Sequence, residues 1–140
     1  MTAILPSMSK VAAVAFSCGL LTALGCHSAF VDADVRNRTP QPLSLLELDY
    51  PSASLGTQTL APGADFHYRF KVLGSGPAKL LWTGHAQTQQ QQATGPELRE
   101  GDEGTFVVTV QPAGVDWTAH FNNRVLEPLV SSPKPLMMPK

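Results

Sequence analysis

Four histidines, His27, His67, His85 and His120, are the residues of this chain best suited to hold a metal ion or to move a proton near neutral pH. None is spaced as H-x-H or H-x-x-x-H, the intervals that place two rings on one face of a strand or a helix, so any such site has to be assembled by the fold. His67 and His120 lie on the outward faces of two alternating stretches, "DFHYRFKV" and "VDWTAHF". Were those stretches neighbours, both rings would meet Asp116 in a surface metal site, and the chain would be a secreted metal-binding or enzymatic domain. Where they are not neighbours, each is an ordinary solvated histidine.

The other chemistry-bearing residue types form weaker patterns. Glu97, Glu100, Asp102 and Glu103 in "ELREGDEG" lack the D-x-D-x-D-G spacing of a calcium loop and read as an acidic hairpin tip. Neither G-x-S-x-G nor S-x-x-K occurs, and no G-x-G-x-x-G or Walker loop is present, so nothing points to a serine nucleophile or to a nucleotide. No catalytic residue and no cofactor is implied. Trp82 and Trp117 could stack on sugar rings, but both fall on the apolar face of their segments, which reads as core packing. "QTQQQQ" at 87–92 reads as a polar loop or an edge strand. "DYPSASLGT" at 49–57 is small, polar and proline-bent, the composition of an edge or end loop able to accept a partner strand.

Those residues have to be positioned by strands. In "VDADVRNRT" Val31, Ala33 and Val35 alternate with Asp32, Asp34 and Arg36, the period of a half-buried strand. Phe66, Tyr68, Phe70 and Val72 alternate in the same way with His67, Arg69 and Lys71, and Val115, Trp117, Ala119 and Phe121 with Asp116, Thr118 and His120. "TFVVTV" is β-branched or aromatic almost throughout, and "LSLLELDY" and "AKLLWTG" are bounded by proline and glycine. Two weaker segments bring the total to seven or eight. Twelve prolines and eleven glycines fall largely between these stretches, as "TPQP", "APG", "GSGP", "TGPELREGDEG" and "PAG". The expected fold is all-β: one antiparallel sandwich over residues 26–125 that resembles immunoglobulin-like domains in architecture alone, followed by a proline-rich flexible tail over 126–140.

Charge is nearly balanced, with 10 Lys and Arg against 11 Asp and Glu, and the cations are scattered, so no nucleic-acid partner is expected. The two cysteines, Cys18 and Cys26, both lie in the N-terminal segment, which leaves the body without a disulfide framework. "VAAVAFSCGLLTAL", residues 11–24, follows Lys10 and carries no charge. It is long enough for the core of a signal peptide and shorter than the roughly 20 apolar residues of a spanning helix. Residues 1–25 are therefore expected to be a signal peptide, and the compact head "MSK" at Met8 suggests a later start.

The stretch that closes this segment, "LTALGC", resembles the lipobox of bacterial lipoproteins, in which small residues precede a cysteine that takes lipid on its thiol and becomes the mature N-terminus. In that family's usual pattern leucine stands three residues before the cysteine, where this chain has Ala23, with Leu24 one place later. The resemblance implies lipidation at Cys26 and attachment to a membrane through N-terminal lipid. It also implies a place in the bacterial cell envelope, at the outer membrane where there is one because His27 stands where aspartate would favour inner-membrane retention. Conventional cleavage after Gly25 would instead give a secreted or periplasmic chain. The expected function is a lipid-anchored, non-catalytic binding or assembly module, with a possible protein partner in the envelope.

Overall fold

The computed structural model describes residues 27–137. Eleven strands follow in chain order: β1 Val31–Asn37, β2 Leu43–Tyr50, β3 Ala53–Leu60, β4 Asp65–Phe70, β5 Gly76–Gly84, β6 Gln90–Leu98, β7 Gly104–Gln111, β8 Gly114–Phe121, β9 Arg124–Val125, β10 Leu129–Ser131 and β11 Lys134–Pro135. They form two sheets. One runs β10-β8-β7-β1-β4 with β9 also on β8, and the other runs β11-β6-β5-β2-β3. Every pairing is antiparallel except that of β1 with β7. The sandwich expected from period-two patterning is therefore present, with more and shorter strands at its end than the pattern suggested.

The core is made where alternation predicts it. Val31, Ala33 and Val35 of β1, Phe106, Val108 and Val110 of β7, and Val115, Trp117, Ala119 and Phe121 of β8 are all buried and face Leu46, Leu48, Leu80 and Trp82 of the other sheet. Phe106 and Trp117 pack with ring centres 5.8 Å apart, an aromatic contact beyond simple burial. The sheets are in close contact at Gly95, where a Cβ would collide with the Trp117 indole. "TGPELREGDEG" contains that glycine and reads as turn chemistry, yet β6 runs on through Leu98. Gly95 is there because an aromatic ring lies flat against its backbone, not because the chain turns.

Two predicted positions fail for a shared reason, the finite width of a sheet. Tyr68 was expected inward and is 46 % exposed, because β4 is the last strand of its sheet and nothing covers its inner face completely. Its ring rests on Phe66 instead, with centres 6.5 Å apart. The stretch 126–140 was expected to be a flexible tail. Within it β10 pairs with β8 and β11 pairs with β6, so the chain straps both sheets along one side. The Trp117 indole N–H donates to Ser131 Oγ at 2.7 Å, which supplies the partner a buried indole requires.

Each pole of the sandwich is held by one buried polar side chain, and these are the two buried polar residues among those described. At the pole where β1 ends, Asn37 donates from Nδ2 to the carbonyls of Gln41 and Leu60, both at 2.9 Å, and its Oδ1 accepts from the Thr39 N–H and hydroxyl. Every polar atom of that amide is used, and the bonds join the ends of β1 and β3. At the opposite pole Asp102 accepts from the Arg99 N–H at 2.8 Å and from Arg124 at 2.6 and 3.0 Å. "ELREGDEG" is thus a crossover between the sheets locked by a buried ion pair, which corrects the expected hairpin and the expected solvation of Asp102, while Glu97 and Glu100 are exposed.

Candidate docking edge

The sandwich has two long sides, and they are finished differently. On one, β10 pairs with Val115, Asp116 and Trp117 of β8, and β11 with Gln91 and Gln92 of β6. On the other, β3 and β4 end their sheets, joined by the short connection 61–64. Two edges therefore face the same flank. Edge β4 carries Asp65, His67 and Arg69 on its outward face, charges that discourage a further strand. Edge β3, "ASLGTQTL", is eight residues long and carries neither a charge nor a proline. Its inner neighbour is β2, and its other side offers backbone N–H and C=O groups to whatever approaches.

The outer surface beside β3 is shaped by a bulge in β2. Pairing with β5 slips between Ser44 and Glu47, and Leu45 adopts a φ of 49° with its side chain 55 % exposed. The extra residue lets both Leu43 and Leu46 face the core, which strict alternation forbids. Its cost is a branched side chain in the left-handed region, pushed into solvent. Opposite, a Cβ at Gly56 would strike the Leu46 carbonyl oxygen, so glycine is the residue that lets β3 lie this close. Together Leu45, Glu47, Ser54, Gly56, Gln58 and Gln90 border a groove of about 460 Å³ that crosses β3 onto β2.

The electrostatics of this surface come from β2 and β5. Glu47 and Asp49 project from successive outward positions, Glu47 in register with Gly56 and Asp49 with Ser54. Partial burial, then the Glu47 charge, pushes the Asp49 carboxyl above its ordinary value, and Lys79 across the ladder on β5 opposes the rise. Tyr50, at the end of the same strand, packs on Phe70 with ring centres 4.1 Å apart. Its phenol is raised by burial and then by Tyr68 nearby.

The metal reading meets a different arrangement. His67 lies on β4 and His120 on β8, with β1 and β7 between them. Three strand spacings separate them, about 14 Å at about 4.8 Å each, too far for one ion. His67 Nδ1 instead meets Asp34 Oδ1 at 2.8 Å, with Asp32 at 3.9 Å from its other nitrogen. Asp116 accepts a hydrogen bond from the Gln111 amide, and the outward position of His120 is flanked by Thr105. Among the described residues no three His, Cys, Asp or Glu side chains stand close enough to share a metal. The assembly of His67, Asp116 and His120 is corrected: alternation put each on the outer face, as expected, but strand order separated them.

Trp82 and Trp117 are buried, as their face implied. His85 is exposed in the turn after β5, and "QTQQQQ" splits into an exposed loop at 87–89 and the start of β6. "DYPSASLGT" runs from the end of β2 through the turn at Pro51 and Ser52 into edge β3. Cys18 and Cys26 lie outside the described residues. The residue after Cys26 is described: His27 Nε2 meets both carboxylate oxygens of Glu103, at 2.7 and 2.8 Å, and this contact lowers the Glu103 pKa. Sequence reasoning missed the bulge at Leu45, whose one signal was the broken alternation of "LSLLELDY". No protein-family model matches the chain, and no curated protein matches it significantly.

Proposed function

We propose that this chain is a lipid-anchored protein of the bacterial envelope whose sandwich serves as a non-catalytic binding or assembly module, with β3 as the strand that receives a partner. The observation that carries the reading is the contrast at the edges. A sandwich that straps one side with β10 and β11 and charges edge β4 nonetheless leaves eight uncharged residues of β3 with no outer strand among the described residues. Unguarded edges of that length invite pairing with another chain, so their retention is the signature of a docking strand. The anchor rests on "LTALGC" and on a short link: His27, held against Glu103, would keep the domain close to an acylated Cys26. Several acyl chains, each buried methylene contributing about 0.8 kcal/mol, would make that attachment stable.

Mass spectrometry of the mature N-terminus from membrane and soluble fractions tests the placement, comparing the native chain with Cys26→Ser. The expected result is an acylated chain beginning at residue 26 in the membrane fraction and its loss from that fraction in the variant. An unmodified chain beginning elsewhere would remove the anchor and leave a secreted or periplasmic module.

A further inference from the structure

We infer that the β3 edge and its groove receive an extended basic segment of another protein, a strand with lysine or arginine at two alternate positions. This rests on the reading of β3 as a docking strand and adds the chemistry of what docks.

The spacing of the carboxylates sets the pattern. Gly56 and Ser54 are two residues apart on β3, and behind them in register stand Glu47 and Asp49 of β2. A strand added to β3 places its own residues i and i+2 opposite Gly56 and Ser54, on the same outward face. Gly56 has no side chain and Ser54 a short one, so the path across β3 to both carboxylates is open. That path is about 9.6 Å between backbones, two strand spacings. A lysine or arginine reaching across, met by the glutamate reaching back, closes it; valine, threonine or serine does not.

The lining suits such a side chain along its length. Leu45, forced outward by the bulge, gives the methylene stem an apolar wall, and Gln58 and Gln90 supply amides at the rim. Among the described residues neither Glu47 nor Asp49 has an ion-pair partner within 4.0 Å. Lys79 stands in register with Asp49 on β5, and an arriving cation adds to it in offsetting the charge of Glu47 beside Asp49. A second copy of this chain is a poor occupant, because its own β3 brings no cation to face Glu47 and Asp49.

Three labelled peptides of equal length test the inference by fluorescence anisotropy on the full chain in mild detergent: TVKVKVT, TVTVTVT and TVEVEVT. The lysine peptide is expected to bind about tenfold more tightly than the threonine peptide at low salt, with the glutamate peptide weakest. Raising sodium chloride to about 0.5 M should shrink that advantage. The double variant Glu47→Gln, Asp49→Asn should bring the lysine peptide within about twofold of the threonine peptide without changing the latter. Ser54→Lys, which alters an exposed position, should do the same by occupying the partner's place. Equal binding of lysine and threonine peptides would overturn the basic specificity and leave strand addition standing. Binding of no peptide would remove the docking strand itself. Self-association that is abolished by Ser54→Lys and excludes the peptides would make the occupant a second copy and overturn the inference.

Discussion

The two long sides of the sandwich solve the same problem in opposite ways. Along β8 and β6 the chain returns after β9 and lays β10 on part of one and the two-residue β11 on part of the other, so a single passage of backbone straps both. Where β3 and β4 end their sheets, no described residue returns to pair with them. Edge β4 is protected by charge, and β3 relies on neither charge nor cover. Edge protection is thus allocated residue by residue, and the exception is the strand next to the bulge, the glycine floor and the paired carboxylates.

Removing the strap is expected to cost the most. Ending the chain after residue 127 deletes β10 and β11, bares the backbone of β8 and leaves the Trp117 indole N–H without Ser131. The expected loss is about 4 kcal/mol from the missing ladder and the stranded donor, read from urea denaturation of the full and shortened chains. Ser131→Ala isolates the indole contact alone and should cost about 1 to 2 kcal/mol by the same measurement. On the open side Ser54→Lys should shift stability by no more than about 0.5 kcal/mol, because the residue is exposed and its strand has no outer neighbour among the described residues. A large loss there would mean that β3 is already occupied in the isolated protein.

The smallest effects are those of pH, and their signs differ between two carboxylates, Glu103 and Asp49. Glu103 has a lowered folded pKa through His27, so it contributes stability above the ordinary carboxylate range that is lost as pH falls through the folded value. Asp49 has a raised folded pKa, so its ionisation opposes folding. That penalty grows as pH rises from the ordinary aspartate range through the higher folded value. Thermal melts of Glu103→Gln and Asp49→Asn across acid pH should therefore move apart. At neutral pH the first variant melts lower than the native chain and the second slightly higher, and both differences fade once the carboxyls are protonated.

Much of the fold was legible because burial on one face of a strand writes itself into the sequence at every second residue. Val31, Ala33, Val35, Trp117, Ala119 and Phe121 needed no other signal. Tyr68 obeyed the same rule and still came out exposed, since alternation tells which face a residue takes and not whether anything covers that face. Gly95 misled in the other direction: glycine beside proline reads as a turn, while the reason for it is an indole from a strand more than twenty residues away. The docking edge was half visible. Its small polar composition in "DYPSASLGT" suggested an edge, but the alignment of Gly56 with Glu47 and of Ser54 with Asp49 is a matter of register, which composition does not carry.

By itself the sequence determined an all-β sandwich, the inward set of most strands and a body without cysteine, because periodicity and residue counts are properties of the chain alone. It also determined that His67, Asp116 and His120 face outward. Only the tertiary structure decided strand order, and strand order is what separated those three residues, joined β10 and β11 to two different sheets and left β3 at an edge. Those outcomes depend on which strands become neighbours across long stretches of chain, and neighbours are chosen by the packing of two whole faces against each other.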